Sequence, residues 1–127
     1  MGFFNNSSSK ETKTHSNVNW IQLTDLKQLD AILELSFEKP VLIFKHSTTC
    51  IVSKMALKSF EKEFDSSNNL DAYFLDLLNF RAISNEIASK FNVVHQSPQL
   101  ILIKNGLSVY NVSHDRIDAD ELKLKVQ

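Results

Sequence analysis

Cys50 and Ser53 are the residues whose types and spacing point most directly to chemistry. A thiolate is a nucleophile and a redox group, and Cys50 is the only cysteine in the chain. It stands where a polar stretch, Lys45 to Thr49, gives way to an apolar pattern of helical period formed by Val52, Met55, Ala56, Phe60 and Phe64. The start of a helix offers unpaired N–H groups and a positive dipole end, both of which favour an anion such as a thiolate. Ser53 follows one helical turn later, where a hydroxyl on the same face could donate to that thiolate. Cys-x-x-Ser after a strand is the dithiol Cys-x-x-Cys pattern with its second sulfur replaced. Any exchange chemistry would therefore use a single thiol. The plain alternative is a small buried hydrophobe with no chemistry. Against it, the Ser-Thr-Thr before Cys50 places the side chain near the surface rather than on the core stripe.

Lys45 and His46 could add positive potential near the thiolate, although a lysine at a strand end is more often simply solvated. His95 precedes Pro98 and could face the cysteine or lie on a surface loop; His15 and His114 read as solvated. No metal site is expected, since one sulfur with His46 four residues upstream lacks two further ligands.

Stepping outward along the chain, Val41 to Phe44 is a short apolar run bounded by Pro40, the signature of a buried strand feeding the Cys50 loop. Trp20 to Leu23 makes an earlier strand, and Thr24 suits the N-cap of a helix carrying Leu26, Leu29, Ile32 and Leu33 inward. Ala72 to Leu75 reads as another inner strand. Asn79 is a candidate cap for a helix over Phe80–Phe91, with Ile83, Ile87, Ala88 and Phe91 inward. Leu100 to Ile103 and Leu107 to Val112 flank Asn105-Gly106, a type I′ hairpin signal, and Asp118 caps a last helix over Ala119–Val126. The expected architecture is α/β: one domain over residues 18–127, with a mixed central sheet and helices on both faces. Residues 1–17, polar and without period, read as a disordered tail.

The chain has 127 residues and a formal net charge of -1, so its charge points to neither nucleic acid nor an anionic membrane as a partner. No apolar run approaches membrane-spanning length. A single cysteine rules out an intramolecular disulfide, which fits a reducing cytosol, and a cytoplasmic location is expected.

The element order, a cysteine opening the helix after an early inner strand, and Pro98 just before the hairpin together resemble thioredoxin-like proteins. That resemblance implies a cis proline facing the cysteine, with Ser97 offering backbone groups to a substrate chain. Phe44-Lys-His-Ser-Thr-Thr-Cys50 with Ser53, and Val94-His-Gln-Ser-Pro-Gln99, resemble the YtxJ family of monothiol bacilliredoxins, and the likeness runs from Trp20 onward. The resemblance implies removal of bacillithiol from cysteines of other proteins, with Cys50 as nucleophile. Ser53, Thr49, His46 and Lys45 would support it, and Ser97 and Pro98 would bind substrate. It implies no bound cofactor; bacillithiol is the thiol co-substrate, and S-bacillithiolated proteins are the partners. Ile51 departs from the family, which carries proline there; it adds an N–H near the sulfur and loosens the helix start. Two other readings stand beside this one: a redox-inactive peptide-binding module of the same fold, and a monothiol exchanger using glutathione or another small thiol.

Overall fold

The computed structural model describes residues 16–127. Most of the expected tail, including Phe3, Phe4 and His15, lies outside the described residues. Asn17, assigned to that tail, belongs to the domain: its backbone N–H donates to Glu61 and its side-chain amide to Lys62, both carbonyls near the end of a helix.

The elements follow the expected order. They are β1 (Trp20–Gln22), α1 (Lys27–Leu35), β2 (Val41–His46), α2 (Ile51–Glu63), β3 (Asp71–Asp76), α3 (Arg81–Lys90), β4 (Gln99–Lys104), β5 (Leu107–Ser113) and α4 (Ala119–Val126), with a 3-10 turn at His114–Arg116. They form one five-stranded sheet in the order β1-β3-β2-β4-β5. The pairs β1–β3 and β3–β2 are parallel, while β2–β4 and β4–β5 are antiparallel. The hairpin turns at Asn105 and Gly106, whose φ angles of 52° and 79° fit the left-handed region that a type I′ turn needs.

All six residues of β2 are buried, as a central strand covered on both faces requires. Alternation sends Val41 and Ile43 into a core with residues of α1 and α3, including Leu29, Ile32 and Ile87. It sends Leu42 and Phe44 into a second core with Phe60 and Phe64 of the α2 segment and Leu122 of α4. Trp20 joins this second core edge-on to Phe44 at 5.8 Å between ring centroids, and its Nε1–H donates to Glu61 at 2.6 Å.

Three local expectations need correction. Thr24 does not cap α1: Asp25 accepts from the Lys27 N–H, and Gln28 reaches back to the N–H groups of Thr24 and Asp25, the reciprocal arrangement of a capping box. Leu26 consequently sits before the helix and is exposed. Asn79 does not cap α3 either, because its amide donates to Asp76. The inward face of α2 is rotated from the expected stripe. Val52 and Met55 are 48% and 67% exposed, whereas Ser53 and Phe60 are buried. Ala56, Leu57 and Phe60 hold the helix to the sheet, leaving the first turn free to place Ser53 inward.

Phe60→Ala should therefore cost about 3–5 kcal/mol in denaturant unfolding, while Met55→Ala should stay within about 0.5 kcal/mol. Similar costs for both would show that the expected stripe, not the observed one, packs the core.

Candidate active site

β2 ends at His46, and the chain turns through Ser47 to Cys50, closed by the Cys50 N–H donating to the Ser47 carbonyl at 3.2 Å. Cys50 is the N-cap of α2, with extended backbone angles of −103° and 124°, and its carbonyl accepts the first helical bond from Lys54. The thiol is half-buried. The Cys50 side chain makes no capping hydrogen bond to the helix, and no acidic residue lies in the first turn of α2 to oppose the dipole there. Ile51, in the family proline's place, is the first helical residue and 71% exposed.

Ser53 faces inward, fully buried, and its Oγ has two partners. It accepts from the Ser47 N–H at 3.0 Å and lies 2.7 Å from Nδ1 of His46. The expected bond from Ser53 to the Cys50 sulfur is not among the hydrogen bonds of the described residues. Ser53 instead pins the turn that presents Cys50, tying it to the end of β2. His46 is buried against Phe74. Burial lowers its pKa below the usual histidine range; nearby Lys54 adds to this and Asp76 opposes it. This shift favours the neutral ring over the cation expected to add positive potential near the thiolate. It serves Ser53 as a hydrogen-bond partner. Thr49 is exposed on the turn.

Lys45 is the largest departure from expectation. Alternation points it to the opposite face of the sheet, where it is fully buried rather than solvated. Its Nζ donates to the Ser84 carbonyl at 3.3 Å and to Nδ1 of His95 at 3.2 Å. Burial without a carboxylate lowers its pKa to about 8.

The Ser97–Pro98 bond is cis, as expected, and Pro98 is buried at the start of β4. Lys45 pairs with Gln99, so Pro98 comes level with His46, at the root of the turn to Cys50. The Ser97 hydroxyl oxygen is buried beside it without a partner. Gln99 clamps this loop from inside: its side chain donates to the Val94 carbonyl at 3.0 Å and accepts from the Gln96 N–H at 3.3 Å. Sequence reasoning missed Gln99 and Ser84. A glutamine heading the apolar run Leu100–Ile103 was the available signal for the first; the second had none.

The arrangement is one nucleophile at a helix start, beside a cis-proline loop, with no second cysteine in the chain. A family model described as monothiol bacilliredoxin BrxC matches residues 21–122. This chain belongs to the monothiol bacilliredoxin family. A solved structure described as an oxidoreductase with a thioredoxin fold is 34% identical, with a TM-score of 0.71 over 84% of this chain and 93% of that one. Thioredoxins from Schistosoma mansoni and Malassezia sympodialis are 23% and 18% identical, both with TM-scores of 0.63. Each aligns over 87% of this chain, and over 95% and 90% of its own length respectively. These two show the shared fold. In this chain the thioredoxin framework carries a single cysteine.

Lys45 makes a stability prediction. Below about pH 8 the folded chain keeps a buried ammonium that the unfolded chain leaves in water. Between about 8 and 10.5 the folded form has lost its proton and the unfolded form has not, so stability should rise with pH through that window. Lys45→Met should flatten this rise relative to wild type and stabilise the fold at pH 7 by about 1–3 kcal/mol, measured by denaturant unfolding across pH. An unchanged pH profile in the variant would show that Lys45 is not the group responsible.

Proposed function

We propose that the protein removes bacillithiol from cysteines of other proteins by monothiol exchange through Cys50. Cys50, as thiolate, attacks the bacillithiol sulfur of a protein–bacillithiol mixed disulfide. The new bond joins Cys50 to bacillithiol; the old disulfide breaks, and the protein sulfur leaves as a thiolate that takes a proton from water. A second low-molecular-weight thiol, as its thiolate, then attacks the mixed disulfide on Cys50. It leaves with bacillithiol as a small disulfide and restores the Cys50 thiolate. The observation that carries this reading is the lone cysteine at the start of α2: with Ser53 in the second position, the chain has no thiol of its own to resolve the adduct. Membership of the monothiol bacilliredoxin family supports bacillithiol as the small thiol. The cis-Pro98 loop, level with the root of the Cys50 turn, supports docking of the substrate chain beside the sulfur. Cytoplasmic action is part of this proposal, since the exchange needs a pool of reduced small thiol. Among the described residues no helix is long and apolar enough to cross a membrane.

Without a resolving thiol, the wild type should stop after one turnover with one bacillithiol on Cys50, seen as a reductant-reversible shift in intact mass. Cys50→Ser should release no bacillithiol. Ser53→Ala should still react, but more slowly, and lose about 1–3 kcal/mol of stability, because His46 and the Ser47 N–H lose their common partner. A wild type that takes up glutathione but not bacillithiol would move the protein to another thiol system. Uptake of neither, with partner binding retained in Cys50→Ser, would favour the binding-module reading.

A further inference from the structure

The exchange steps use neither Lys45 nor the residues it touches, although burying an ammonium is costly and an apolar side chain would avoid the cost. Among the described residues no carboxylate forms an ion pair with Lys45. What Lys45 does touch has a definite consequence. An ammonium can only donate, so Nδ1 of His95, 3.2 Å from Lys45 Nζ, must accept while the lysine is charged. The Ser84 hydroxyl lies 3.4 Å from the same nitrogen. While Lys45 is charged, the ring proton of His95 is thereby placed on Nε2. Since His95 is exposed, the result is a preset N–H donor at the surface with a positive charge behind it.

Arg81 lies one helical turn before Ser84 on α3, and Ser84 touches both Lys45 and His95. Arg81 is exposed and opens α3, where the helix dipole disfavours a cation, and it forms no ion pair among the described residues. The pKa of His95 is lowered by burial first, then by Lys45 and Arg81, with no carboxylate opposing them. Among the described residues neither Lys45 nor Arg81 forms an ion pair, so this corner holds two cations without a paired carboxylate. It shares an end of the sheet with the Cys50 turn. Gln99 clamps the 94–98 loop that carries His95, and that loop sits at the carboxyl end of β2, where the turn to Cys50 begins.

We propose that Arg81 and the Nε2–H of His95, with Lys45 behind them, form an anion subsite for a carboxylate of the small thiol that Cys50 carries. The inference rests on the exchange reading above and deepens it. Bacillithiol, a cysteinyl glucosaminyl malate, is a dicarboxylate, and a guanidinium beside a fixed N–H donor suits one of its carboxylates. The subsite would recognise the small-thiol half of the mixed disulfide. The protein half would be left to the proline loop.

The test uses Arg81→Ala and His95→Ala in the full chain, both at exposed positions. One carrier protein is supplied as its mixed disulfide with bacillithiol and, separately, with cysteamine, which has no carboxylate. Each variant should lose about tenfold in kcat/KM toward the bacillithiol form and less than about twofold toward the cysteamine form. Equal losses on both substrates, or none on either, would overturn the subsite and leave the exchange reading standing. Binding is read separately by titrating malate into the wild type and following the His95 ring signals by NMR. A saturable shift that disappears in Arg81→Ala is expected; its absence from the wild type would overturn the proposal. If the wild type takes no bacillithiol at all, the exchange reading falls, and the malate titration alone decides the anion subsite.

Discussion

Alternation along a strand buried on both faces is the constraint on which this site depends. β2 is paired on both edges and covered on both sides, so each of its six residues is buried whatever its chemistry. Four apolar side chains satisfy this at once. The last two, Lys45 and His46, are polar, and the pleat sends them to opposite sides of the sheet. His46 is taken up by Ser53 under the first turn of α2, and Lys45 by Ser84 and His95 on the α3 side. Each bond ties a different segment to the same strand end. The turn carrying Cys50 is held from one face and the 94–98 loop from the other.

This division explains why Ser53 is more than a missing cysteine. In a dithiol site the second sulfur resolves the first. Here the second position is turned inward, and its hydroxyl accepts from the Ser47 backbone while meeting the His46 ring. In place of a second thiol, that position ties down the turn that presents Cys50. The outer face of the same helix stays apolar and open at Ile51, Val52 and Met55. The helix is held by Ala56, Leu57 and Phe60 further along.

The fold was largely legible in the chain. Apolar runs with clear punctuation marked the inner strands, Asn105-Gly106 marked the hairpin, and Asp118 capped the last helix as its type suggests, its carboxylate accepting from the Asp120 N–H. Errors fell where two neighbouring residues compete for one local role. Thr24 and Asp25 are both good caps, and Gln28 decided between them by reaching back. Asn79 was a plausible cap until Asp76 engaged its amide. Along α2, Val52 and Met55 share a helical period with Phe60, yet a helix leaving a tight turn can meet the sheet with a different face.

For the site, the sequence by itself determined the reagents: one thiol, its place at a strand-to-helix junction, the serine in the second position, and the proline before the hairpin. Those are properties of residue type and order, which local chemistry reads directly. Only the tertiary structure decided what the polar residues around the thiol do. Whether Lys45 meets water or an imidazole, and whether Ser53 turns to the sulfur or to His46, depends on which segments close over the end of β2. The side chains they meet lie far away in sequence, 39 and 50 residues for the two partners of Lys45, and no local pattern encodes such a meeting.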